Sequence, residues 1–136
     1  INKNFAVTNL IYQAKSSNTN YLLVNSLSDV YRGYMDADDL INWLITILLH
    51  SNTKCKIYNV GSDETITIKK LANIISKKFN KKVIINNKKL IKNDFDFYVP
   101  AISKAKKELN LRIKLKLKKS LNQLIKYKLP KSTPIH

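Results

Sequence analysis

A mixed fold, α/β or α+β, is predicted by three features of this 136-residue sequence. Apolar residues at helical spacing alternate along the chain with short β-branched runs. Several strand-like runs lead directly into a helix. No internal repeat or low-complexity linker divides the chain, and 44% apolar residues are enough to fill a core. The chain opens at Ile1 rather than Met, straight into an apolar helical pattern, which predicts a start partway through a longer protein.

The elements follow in order. Phe5, Val7, Leu10, Ile11 and Ala14 share a helical spacing over residues 5–15, and "SSNTN" breaks it. "YLLV" at 21–24 reads as a buried strand, "NSLSD" as a loop and "VYRGY" at 30–34 as β-rich. From Asp38 the period is helical, with Leu40, Trp43, Leu44, Ile47 and Leu48 as the expected buried stripe. "KIYNVG" at 56–61 reads as a strand closed by a glycine turn. Thr67 is a good N-cap for a helix to about Phe79, whose apolar side is Ile68, Leu71, Ala72, Ile75 and Phe79. Lys69, Lys70, Lys77 and Lys78 fall on its other faces. "KVIIN" at 82–86 predicts a strand, "DFDFYVP" at 94–100 an extended segment, and "ISKAKKELN" a short helix. "LRIKLKLK" at 111–118 alternates apolar and basic residues like a half-buried strand. Leu117, Leu121, Leu124, Ile125 and Leu129 then set up a last helix that Pro130 ends, before a frayed tail at 131–136.

The net charge of +16 is lopsided: residues 1–64 hold five basic and six acidic side chains, residues 65–136 twenty and three. That half suggests a basic nucleic-acid-binding module as an alternative function. Against it, the cations are 23 Lys and only 2 Arg, whereas base reading and bidentate phosphate gripping favour arginine. No apolar run reaches the ~18–20 residues that span a bilayer. The single cysteine, Cys55, allows no internal disulfide and no cysteine zinc cage, which fits a reduced, cytoplasmic setting and a plain strand residue.

Asp36, Asp38 and Asp39 offer hard oxygen ligands for a divalent cation, but no glycine and distal glutamate complete a calcium loop. At a strand-to-helix junction they suit capping, since carboxylates in the first turn complement the helix dipole. Arg32 precedes that helix on a β-like segment and is the only arginine before Arg112. Its fork fits either a diphosphate or a structural pair with Asp29 or Asp36. His50 and His136 are too few for a catalytic triad or a zinc site. Gly33 and Gly61 are the only glycines, so no glycine-rich phosphate loop exists in these residues. A Tyr-x-x-x-Lys pair occurs only at Tyr127 and Lys131, where Pro130 breaks the helix that would align them.

In this order, "YRGYMDADDLINWL", "YNVGSDETITIKKLA" and "FYVPAISKAKKELNL" resemble the C-terminal half of the extended short-chain dehydrogenases, the NAD-dependent nucleotide-sugar epimerases and dehydratases. "FAVTNLIYQA" is similar to the family segment ahead of the arginine, so the resemblance covers about residues 5–128. It implies an α/β fold: the C-terminal substrate-binding part of an extended Rossmann-type enzyme, with the N-terminal dinucleotide-binding half absent. Residues 1–130 would form that partial region, including a strand and a helix that complete the Rossmann half. NAD(P) and the catalytic pair would belong to the missing half, leaving this portion inactive alone. The resemblance places Arg32 on the substrate diphosphate, Asn9 near the nucleotide, and Leu22 and Val24 beside the base. Lys92 stands in the region where some relatives carry a second arginine. Asn110 replaces the usual glycine after Leu109. The partners implied are a nucleotide sugar, the Rossmann half of the same protein and a second copy, with no membrane.

Overall fold

The computed structural model describes residues 5–16, 18–25, 29–52, 54, 56–86 and 95–127. Cys55, Lys92, Leu129, Pro130 and the tail at 131–136 lie outside them.

Helix α1 (Ala6–Lys15) leads into strand β1 (Tyr21–Asn25), which pairs in parallel with β4 (Lys82–Asn86) as a two-stranded sheet. Strand period 2 puts Leu22 and Val24 on one face, which α1 and helix α3 (Ile68–Lys78) cover. Leu10, Ile11 and Ala14 from α1, Leu71, Ala72 and Ile75 from α3, and Leu121 from α5 (Leu117–Lys126) close this first core. Thr67 caps α3 as predicted, its Oγ1 accepting from Lys70 N at 3.1 Å, and the four lysines assigned to the outer faces are exposed. Lys81 Nζ donates to the Gln13 and Ser16 carbonyls, placing a cation at the negative end of α1.

A three-stranded sheet in the order β3-β2-β5 forms the neighbouring layer. Its middle strand β2 (Asp29–Gly33) is antiparallel to β3 (Thr65–Thr67) and parallel to β5 (Phe95–Tyr98). Beyond it, helix α2 (Ala37–Leu49) packs Trp43 against Ile102 and Ala105 around α4 (Ser103–Leu109) and against Leu111, forming a second core. Asn110 ends α4 at φ 49° and ψ 32°, the left-handed conformation. Asn tolerates that region better than most side chains, so it does the work of the usual glycine.

Three sequence expectations are corrected. The inner face of α2 is Asp39 and Trp43 with Ile47 partly covered, whereas Leu40, Leu44 and Leu48 stand exposed. The helix is apolar on two sides, and spacing alone does not say which side meets the core. Residues 111–116 form no strand, although their burial alternates as expected, because the N–H groups of Lys114 and Leu115 donate to the Asp39 carboxylate rather than to a neighbouring strand. Residues 56–60 likewise have no regular structure.

Candidate functional site

Arg32 sits on the middle strand of the three-stranded sheet, in register with Ile66 on β3 and Tyr98 on β5. Residues paired across strands share a face, so the guanidinium shares its side with an exposed phenol and an apolar neighbour. On the opposite face Tyr31 meets Phe97, ring centroids 5.9 Å apart. Arg32 is half-buried, and its Nη1 donates to the Tyr31 carbonyl at 2.9 Å, which fixes one arm of the fork against the backbone.

The next residues turn the chain from sheet to helix. Burial pushes the Tyr34 phenol above its ordinary range, with the nearby Arg32 charge pulling the other way, so it stays protonated at neutral pH. Tyr34 also lines a hollow of about 620 Å³ together with Val7, Thr8, Asp36, Ser120 and Tyr127. Arg32 is not among the residues lining that hollow. It stands beside it, linked through Tyr34.

The aspartates separate by role. Asp36 caps α2, its Oδ1 accepting from Asp38 N at 3.0 Å, and its other oxygen accepts from Ser120 Oγ. Asp39 is buried and holds the 114–115 backbone at 2.9 and 2.8 Å. Asp38 is exposed. Two of the carboxylates serve different partners and the third is exposed, so they do not converge on a cation. Among the described residues no group of three His, Cys, Asp or Glu side chains is placed to hold a metal ion.

Gly33 is required beside Arg32. A Cβ there would stand 2.1 Å from the Ser62 carbonyl oxygen, a backbone atom of the turn that closes against the end of β2. Gly33→Ala is expected to push that turn away and to cost about 1–3 kcal/mol by overpacking, read as a lower urea midpoint at unchanged m-value. At Gly61, whose φ is +156°, an added Cβ would stand 2.6 Å from the Pro100 ring. Both glycines are thus occupied with backbone packing, and neither opens a phosphate-binding turn at a helix start. The described residues do not fit a dinucleotide cradle.

The other expected site residues scatter. Asn9 lies on α1 and accepts from Gln13 Nε2 at 2.6 Å. Leu22 and Val24, at 0% and 4% exposure, place their side chains in the first core. Arg112 lines a different hollow of about 460 Å³, shared with Lys106, Lys107, Lys116 and Asp63. Tyr98 and Tyr34 were missed by sequence reasoning. Only strand register brings Tyr98 beside Arg32, while the position of Tyr34 two residues after Arg32 was a usable signal.

Arg32 thus stands on a strand with Tyr98 paired to it and Tyr34 two residues on, next to a hollow that Tyr34 lines. The fold is the one that NAD-dependent epimerases and dehydratases of the extended short-chain dehydrogenase type carry in their C-terminal part. RMD from Pseudomonas aeruginosa, solved with NADPH, matches with a TM-score of 0.74 at 16% identity, over 91% of this chain and 42% of its own. The epimerase Mth375 from Methanothermobacter thermautotrophicus matches with 0.70 at 16% identity, over 91% and 37%. UDP-glucuronic acid 4-epimerase from Bacillus cereus, solved with NAD, matches with 0.68 at 21% identity, over 93% and 39%. The chain therefore spans about two-fifths of the length of these solved proteins, and at such identities the likeness is one of fold. No family model matches the sequence, and no curated protein matches it.

Proposed function

We propose that this chain is the nucleotide-sugar-binding portion of an NAD-dependent sugar-nucleotide epimerase or dehydratase, and that it performs no turnover by itself. The observation that carries this reading is Arg32 on the middle strand of the small sheet, beside Tyr34 and Tyr98, in the fold of those enzymes. A guanidinium oriented by the Tyr31 carbonyl presents a planar fork of the shape that grips a diphosphate in a fixed direction. MoeE5, another structure of this fold, was solved with UDP-glucuronic acid or UDP-glucose together with NAD. NAD(P) would supply hydride transfer when bound, and the dinucleotide would be held by other residues of the assembly, because both glycines here are committed to packing. The cysteine count fits a cytoplasmic enzyme, and among the described residues no helix is long and apolar enough to cross a membrane.

The test is titration of UDP- and TDP-sugars into the protein as its gene encodes it, comparing wild type with Arg32→Ala and Arg32→Lys. Arg32→Ala is expected to lose about 1.5–3 kcal/mol of binding and Arg32→Lys less, since the charge stays and the fork goes. Unchanged affinity in Arg32→Ala removes this arginine from the site.

A further inference from the structure

Lys106 and Lys107 on α4, and Arg112 and Lys116 on the segment after it, line the hollow of about 460 Å³, together with Asp63 and Glu64 from the turn before β3. The left-handed conformation of Asn110 stops α4 and redirects the chain, so that the helix and the following segment line one concavity. That segment has no regular structure, yet its backbone is tied down at several points. Trp43 Nε1 donates to the Arg112 carbonyl at 3.2 Å, the buried Asp39 carboxylate accepts from Lys114 and Leu115, and the Lys116 carbonyl accepts from Lys119 and Ser120 in α5. Leu111 and Ile113 pack into the second core, which leaves Arg112 and Lys116 exposed on alternate positions.

The charge in this hollow is only partly compensated. Lys106 pairs with Asp63 at 2.6 Å, and that hydrogen bond holds the Asp63 carboxyl below the usual carboxylate range. Among the described residues, the side chains of Lys107, Arg112 and Lys116 make no hydrogen bond or ion pair. With Lys106 and Asp63 neutralising each other, three cations face the Glu64 carboxylate, an excess of two positive charges. Lysine is abundant throughout the chain, but arginine occurs only twice, and one of the two stands in this hollow on an anchored backbone.

We propose that the hollow binds an organic phosphate monoester of about the size of a sugar phosphate, with Arg112 as the fork on the phosphate oxygens and Lys107 and Lys116 supplying the remaining charge. A phosphate monoester carries about −1.5 to −2 at neutral pH and three strong acceptor oxygens, which matches both the excess charge and the donors. The volume falls within the ~300–1,000 Å³ of small-molecule sites, more than a bare phosphate fills. Leu111 and Ile113 add an apolar part to the lining for the carbon skeleton of the ligand. A nucleic-acid backbone needs a continuous track of cations, whereas two carboxylates interrupt this cluster. The hollow shares no lining residue with the one that Tyr34 lines, so its ligand is independent of the nucleotide sugar proposed for Arg32.

Calorimetric titration of glucose 1-phosphate, glucose 6-phosphate, inorganic phosphate and glucose into the protein as its gene encodes it tests this. At least one of the sugar phosphates is expected to bind, inorganic phosphate more weakly and glucose not at all. Arg112→Ala should weaken the sugar phosphate by about tenfold or more, and Lys107→Gln with Lys116→Gln by a similar factor, while Arg32→Ala leaves it unchanged. The three substituted positions of this hollow are exposed and Arg112 is anchored through its carbonyl, so urea midpoints should match wild type. Absence of binding by both sugar phosphates at millimolar concentration overturns the proposal, as does equal affinity in wild type and Arg112→Ala. Inorganic phosphate binding as tightly as the sugar phosphates also overturns it, because the organic part then has no place. Loss of binding in Arg32→Ala overturns it by assigning the phosphate to that arginine. Displacement of the sugar phosphate by a single-stranded oligonucleotide, whose own affinity falls steeply with salt and is lost in Arg112→Ala, overturns it in favour of nucleic acid.

Discussion

Trp43→Ala is expected to lower stability by about 3–5 kcal/mol, the usual range for emptying a buried tryptophan site. The indole is 1% exposed and is the centre of the second core, between Ile102, Ala105 and Leu111. Its Nε1 donates to the Arg112 carbonyl at 3.2 Å, so truncation also strands a backbone acceptor. Against a total stability of about 5–15 kcal/mol, this variant should be close to unfolding at room temperature. Because Trp43 is the only tryptophan, its fluorescence reports unfolding in wild type, and the variant must be followed by circular dichroism under urea. Trp43→Phe keeps most of the volume and should lose clearly less. Equal midpoints for wild type and Trp43→Ala would mean that the second core contributes little.

Asp39→Ala is expected to cost about 3 kcal/mol, through two backbone donors left without their charged acceptor. Both N–H groups belong to a segment that has no strand partner among the described residues, and there the carboxylate is their acceptor. The loss should be local first: the amides of Lys114 and Leu115 should exchange faster even where the β1–β4 sheet stays protected. Asp39→Asn retains a carbonyl oxygen for the same donors and should recover about half of the loss. Unchanged exchange at 114 and 115 in Asp39→Ala would show that these amides have another acceptor.

The sequence was most informative where one local rule decides the outcome. For α3, a threonine cap, an apolar row and lysines on the remaining faces all agree, and the helix lies where that pattern puts it. The Asp36 cap of α2 and the parallel run "KVIIN" were legible for the same reason. Reading failed where a distant partner decides. Which of two apolar sides of α2 turns inward depends on α4 and Leu111. The alternation at 111–116 described its burial correctly, but a carboxylate 75 residues away along the chain takes its amide hydrogens. Strand β3 is three residues long and ends at the cap of α3, so it hid inside the helix start. At the candidate site Arg32 stood out as a rare residue in a lysine-rich chain, whereas Tyr98 joins it only through strand pairing.

The amide of Gln13 accepts from the Leu23 N–H at 2.7 Å and donates to the Leu23 carbonyl at 3.1 Å. One side chain here imitates the peptide group of an adjacent strand on the border of β1 away from β4. At this point a newly made chain gives its siblings no template to zip onto.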